Sequence, residues 1–230
     1  MFFRKLRAAN PRSERREKFQ AVMHMAAEMN KCNPRGLQQL IFALLRPLQA
    51  EQMLAVAENV QHGAPAGIES SSFFFQTSGI VSETEQWMKP NPNIKLDLKQ
   101  DIILPTPWVR ARFASALSHI GQGRAMGAWK EDTNHVIALW LPWRIGFVNG
   151  GNHSITAGIL RGEGTVTARD VFDMSPLLER VTCDGDRYFD TVKNRVVGEV
   201  QDHRRAAVFE IGRLIMQQRA TPSVLQLVPR

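Results

Sequence analysis

Cysteine is scarce in this chain. Cys32 and Cys183 are the only two, and they lie far apart. That excludes a disulfide-stapled secreted scaffold and a zinc module built on cysteine pairs. Long apolar runs are missing as well. No stretch of about 18 consecutive apolar residues occurs, so the sequence offers no good membrane span. The basic N-terminus is not followed by the apolar stretch of roughly 7–15 residues that marks a secretory signal, and the expectation is a cytoplasmic protein. No internal repeat and no metal-ligand motif is visible.

What is present suits a folded protein. The chain has 230 residues, 43% hydrophobic and 22% charged, enough to close a core without staples. Its net charge of +7 is unevenly spread. Residues 1–18 carry Arg4, Lys5, Arg7, Arg12, Arg15, Arg16 and Lys18 against Glu14 and Glu17, a net +5 that leaves +2 for the rest. A basic arm on a nearly neutral body points to a polyanion, either nucleic acid or an anionic membrane face. The plainer reading is a solvated tail that aids solubility.

Four segments follow from the patterning. Residues 1–62 read as the basic arm and a helical extension. Phe19, Val22, Met23, Ala26, Ala27 and Met29 recur at helical spacing, Asn33-Pro34 interrupts, and Leu37, Leu40, Ile41, Leu44, Leu45 and Leu48 form a second stripe. Beyond Pro47, Gln52 to Val60 read as a third helical segment. Residues 63–96 are loop chemistry, with Pro90-Asn91-Pro92-Asn93 at one end and Phe73-Phe74-Phe75 as a short strand or an anchor on the core. Residues 97–175 read as a mixed domain. Ile102 to Leu104 form a strand ending at Pro105, and Phe113 to Ile120 a helix closed by Gly121. Val136–Leu141 and Ile145–Val148 are strands turned by Pro142-Trp143-Arg144, a short helix starts after Asn149-Gly150-Gly151, and Thr165 to Ala168 form another strand. Residues 176–230 read as a turn of helix at Leu177 to Val181, a polar loop at Cys183 to Asp186, and a helix from Val200 to Gln218. Pro222 and Pro229 bracket a tail.

The chemistry concentrates at Asn149 to Ser154. A glycine-rich turn there leaves a strand and opens a helix whose first N–H groups have no acceptor within the helix, a geometry suited to phosphate. Asn152, Ser154 and Thr156 are positioned to cap the helix, and His153 to face the phosphate or a reacting water. The bland alternative is an ordinary turn with a structural histidine.

The order of strand, proline, arginine-bearing helix, hairpin, glycine turn, short helix and strand resembles the ParB/sulfiredoxin-like superfamily. The residues that carry the likeness are Ile103-Leu104-Pro105-Thr106-Pro107-Trp108 with Arg110 and Arg112, then Gly151-Asn152-His153-Ser154, then Gly162 to Val171. It covers roughly residues 97–175. The resemblance implies an α+β fold with a small mixed sheet and helices, extended here by N-terminal and C-terminal helices. Two departures stand out. Asn152 occupies the place of the sulfiredoxin cysteine, which argues against that chemistry. Ser154 replaces a family arginine, which removes a bidentate phosphate contact. Arg110, Arg112, Arg144 or Arg161 are left to supply the charge.

Within the superfamily, the layout is similar to plasmid fertility-inhibition proteins of the Osa/FiwA type. That likeness implies ATP or another nucleotide as ligand, ATP hydrolysis and DNA cleavage, with a divalent ion such as Mg2+, and interference with DNA delivery by conjugation or type IV secretion machinery. On this reading His153, Arg110 and Ser154 are the catalytic set, and Gly150, Gly151, Asn152, Thr156 and Arg112 hold the nucleotide. Glu131, Asp132, Glu163 and Asp170 are nearby acidic residues, most simply solvated carboxylates or caps. The alternative is a non-catalytic adaptor for DNA or protein. Trp108, Trp129, Trp140 and Trp143 then offer base-stacking or interface anchors, unless they are core.

Overall fold

The computed structural model describes residues 10–60, 64–76, 88–89 and 93–220. Arg4, Lys5 and Arg7 of the basic arm, Pro90 to Pro92, and Pro222 and Pro229 lie outside the described residues. The chain is α+β, with six helices and three small sheets among the described residues.

The first two helices are α1 (Pro11–Cys32) and α2 (Gly36–Glu58). α1 starts where Asn10 accepts the Arg12 N–H and Pro11 fills the first turn, a position where its missing N–H costs nothing. The arm residues from Arg12 to Lys18 are therefore helical and docked. Arg12 and Arg16 pair with Asp186 at 3.2 and 3.8 Å, and Lys18 pairs with Glu14.

α2 corrects the expected break at Pro47, because one helix runs through it. Proline there removes one backbone hydrogen bond. Tertiary packing offsets the loss: Leu45, Met53 and Val56 are buried on either side of it. The buried Gln49 amide donates to the Ile103 carbonyl at 2.7 Å, and Arg46 donates to the Lys99 and Gln100 carbonyls. α2 is long and apolar enough by length and composition to cross a membrane. A core helix passes the same test, and Leu37, Ile41 and Leu45 are fully buried here.

The central sheet contains β2 (Ile102–Leu104), β3 (Val136–Leu141), β4 (Ile145–Gly150) and β6 (Asp170–Asp173), in the order β2-β4-β3-β6. β3 and β4 form an antiparallel hairpin, while β2 and β6 flank it in parallel. β1 (Lys95–Asp97) pairs with β5 (Thr165–Thr167) in a separate ribbon. α3 (Arg110–His119) and α4 (Asn152–Arg161) complete the central part. Side chains alternate across the sheet as period-two geometry requires. Ile102, Leu104, Trp140, Ile145 and Phe147 join the core with α1, α2 and the C-terminal helices. Ile103, Ile137, Leu139 and Val171 join a second core with Ile155 of α4.

Beyond β6 come α5 (Ser175–Arg180), then an antiparallel sheet of β7 (Val181–Cys183), β8 (Arg187–Asp190) and β9 (Arg195–Glu199), and last α6 (His203–Ala220). The sequence reading missed β1, β6 and all three strands of this third sheet. β8 is Arg-Tyr-Phe-Asp, whose polar ends hide a strand, and the fully buried Asp190 is satisfied by the Arg180 guanidinium. Phe73-Phe74-Phe75 is an anchor rather than a strand. The three rings are buried, with Phe74 at 4.7 Å from Trp143 and Phe75 at 4.7 Å from Tyr188. Side chains from all four sequence segments thus meet in one core.

Candidate functional site

The glycine turn lies where β4 hands the chain to α4. Gly150 and Gly151 are set by close approach. A Cβ on Gly150 would sit 2.5 Å from the Asn134 carbonyl oxygen, and one on Gly151 would sit 2.3 Å from Cδ2 of His135. Gly151 also takes φ +76°, the left-handed region that favours glycine. The N-cap residue Gly151 has no side chain to cap α4, and the first turn holds no carboxylate. The N–H groups of Asn152, His153 and Ser154 consequently have no acceptor within the helix.

A cleft of about 530 Å³ opens beside this turn. It is lined by Gly150, Gly151, Asn152, His153 and Ser154, by Trp108, Arg112 and Ser115 around α3, and by Met126 and Asn134 from the loop before β3. Among the described residues, no carboxylate lines it. The Arg112 side chain is exposed there, with no ion pair or hydrogen bond among the described residues. Of the four arginines left open by the sequence, Arg112 is the one on the cleft. Arg144 pairs with the buried Asp101, Arg161 with Glu163, and Arg110 donates to the Ala57 and Asn59 carbonyls at the end of α2.

Two site residues do structural work. Asn152 is buried, and its Oδ1 accepts the Thr106 N–H at 2.6 Å. The half-buried His153 accepts the Val109 N–H on Nε2 at 3.2 Å and packs on the Trp108 ring at 4.8 Å. Adjacent α4 residues therefore hold the Pro105–Val109 segment that leads into α3. Burial, reinforced by the Arg112 charge, holds the His153 pKa below the usual histidine value. The neutral ring carries its proton on Nδ1, because Nε2 is an acceptor.

Arg110 and Thr156 require correction. Arg110 is a cap on α2, as described, and it does not line the cleft. Thr156 is fully buried on the inner side of α4, where its hydroxyl donates to the Asn152 carbonyl at 2.7 Å, so it is no cofactor contact. The acidic residues serve elsewhere. Glu131 accepts from the Thr167 N–H, Asp132 from the Asn134 N–H, and Glu163 from the Gln122 N–H. Asp170 sits at the start of β6. Among the described residues, no group of three or more His, Cys, Asp or Glu side chains is placed to hold a metal ion.

The sequence reading missed His135. Its buried imidazole stacks on Trp129 at 4.8 Å, accepts the Asp132 N–H on Nδ1 at 2.8 Å, and meets the Ser154 hydroxyl with Nε2 at 2.7 Å. Ser154, His135 and Asp132 look like a nucleophile, base and orienting acid. The hydrogen bonds give another result. With Nδ1 accepting, Nε2 carries the proton and donates it to Ser154 Oγ. Ser154 in turn donates to the Gly151 carbonyl at 3.0 Å. In this tautomer His135 is a donor, so Ser154 is held in place and not activated. No sequence signal marked a lone histidine just before a strand.

Trp129, Trp140 and Trp143 are core, which removes them as base-stacking positions, whereas Trp108 is 45% exposed on the cleft. A family described as a family of unknown function (DUF6710) matches the chain over residues 4–221. No curated protein and no solved structure matches it.

Proposed function

We propose that this chain, which belongs to the DUF6710 family, binds a phosphate-bearing ligand in the cleft at the start of α4. The observation that carries the proposal is the lining. Among the described residues, an Arg112 side chain without a partner, a half-buried His153 and helix N–H groups without an intrahelical acceptor line a cleft that holds no carboxylate. Such a wall favours a dianion through charge and directed donors together. The ParB/sulfiredoxin-like resemblance makes a nucleotide or a DNA phosphate the natural ligand. ATP or DNA hydrolysis, and interference with DNA delivery through a type IV secretion channel, belong to this reading as its further reach.

The hydrogen bonds favour binding over hydrolysis. A general base needs a free acceptor on the cleft. His153 Nε2 is engaged by Val109, and the Ser154 proton is committed to Gly151. The test is titration with ATP and with single-stranded DNA, each with and without Mg2+, alongside a turnover assay. Arg112→Ala is expected to weaken binding on the order of ten-fold, the worth of one charge-assisted hydrogen bond. Arg110→Ala, away from the cleft, is expected to leave affinity unchanged. Equal affinity of the Arg112→Ala and unaltered chains would overturn the proposal.

A further inference from the structure

The cleft pairs its anion-binding wall with apolar surface that the fold does not need. Trp108 and Met126 both line it, and they are 45% and 70% exposed. The other tryptophans described, Trp129, Trp140 and Trp143, are all buried in the two cores. An indole left open to water forgoes a large burial gain, so its position on a concave wall is informative.

Trp108 is also held in place. One side of the ring packs on His153 at 4.8 Å, tilted by 58°. The backbone around it is fixed at both ends, by Thr106 N–H to Asn152 and Val109 N–H to His153. The indole is thus restrained before any ligand arrives, which lowers the ordering cost of stacking on it. Met126 projects from the loop between α3 and β3, where Gly121, Gly123 and Gly127 all take positive φ. Gly123 and Gly127 have open space where a Cβ would stand, so backbone conformation, not crowding, accounts for glycine there. A thioether is polarizable and contacts aromatic rings favourably.

We infer that the ligand of this cleft is a phosphate ester bearing a flat aromatic ring, with the ring taken by Trp108 and Met126 and the phosphate by the Arg112 side. This rests on the phosphate reading above and adds the second half of the ligand. A nucleobase and a simple aryl group share the required chemistry. Both present a π-face to an indole, and both are absent from a plain sugar phosphate.

Binding of four probes to the full chain separates the possibilities: AMP, phenyl phosphate, ribose 5-phosphate and inorganic phosphate, each followed by calorimetry and by quenching of tryptophan fluorescence. AMP is expected to bind on the order of ten-fold tighter than ribose 5-phosphate, the typical worth of one aromatic stack. Trp108→Ala should erase that advantage, so that AMP and ribose 5-phosphate bind alike, and Trp108→Phe should restore most of it. A gain for AMP alone assigns the ring to a nucleobase. A gain for phenyl phosphate as well assigns it to any flat ring. Equal affinity for ring-bearing and ring-free esters overturns the inference while the phosphate reading stands. Failure of all four probes to bind overturns both. A melting curve for each variant confirms that the exposed position has been changed without loss of the fold.

Discussion

At the scale of single residues, the turn at Gly150 and Gly151 is tightly constrained. Its tolerance can be read from two distances and one angle. Gly151→Ala has to place a Cβ inside the His135 ring contact and hold a left-handed backbone. The expected cost is about 2–5 kcal/mol, from the backbone penalty and the overlap together. Urea unfolding of the variant checks it, and a loss below about 1 kcal/mol would show that the turn relaxes freely.

The histidines give a second expectation at this scale. Burial is the leading cause that lowers the pKa of His135, His153 and His203 in the folded chain. The unfolded chain titrates near the ordinary value of about 6.5 and so takes up protons first. Stability must therefore fall as pH drops below about 6.5, towards the lowered folded values. The urea midpoint measured at steps from neutral to mildly acidic pH should fall over that window. His135→Gln should flatten the decline, because it removes one of the three groups.

The glycine turn and the helix that starts behind it were legible in the sequence, because strand, Gly-Gly and helix are written there in order. The roles of its neighbours were not. Thr156 and Arg110 carry the right chemistry, but helix phase turns the first inward and aims the second at α2. His135 could only be found through space, since its partners Ser154 and Trp129 come from other parts of the chain.

At the scale of elements, α2 shows how packing overrides a local rule. Pro47 predicts a break, and the buried face on both sides of it supplies continuity. Pro47→Ala should return a backbone hydrogen bond and stabilise the protein by about 1–3 kcal/mol, a shift visible as a higher melting temperature. α2 also covers the open edge of β2. There Gln49 gives the Ile103 carbonyl its partner inside the core. Gln49→Leu should cost about 1–3 kcal/mol because that carbonyl is left dry and unpaired. Long periodic elements such as α1 and the β3–β4 hairpin were readable from their spacing. β6, β8 and β9 were not, because short strands with charged ends take their identity from pairing partners remote in sequence.

At the scale of the whole molecule, the sequence divides into four segments but the side chains do not. Phe19, Phe73, Trp143 and Phe209 belong to one core, with Trp143 wholly buried against α6 at Gly212. A shared core of this kind unfolds as a unit. Far-UV circular dichroism and tryptophan fluorescence should give coincident transitions. Trp143→Ala should lower stability by about 3–5 kcal/mol across both probes. Separate transitions for the helices and the sheet would show that the segments fold independently. The same view changes the meaning of the basic N-terminus. Arg12 and Arg16 are committed to Asp186 on the far side of the sequence, so part of its charge fastens α1 to the body.

The two bonds from Asn152 to Thr106 and from His153 to Val109 act as rivets between stretches of chain more than forty positions apart. Drawing either rivet loosens the plate it fastens. An alanine at 153 would release the Val109 amide and remove the backing of the Trp108 indole along with the imidazole itself. Arg112 is fastened to nothing described, so its replacement alters the charge of the wall and little else. That contrast makes Arg112 the clean handle on whatever the cleft holds, and makes His153 a probe of how the wall is assembled.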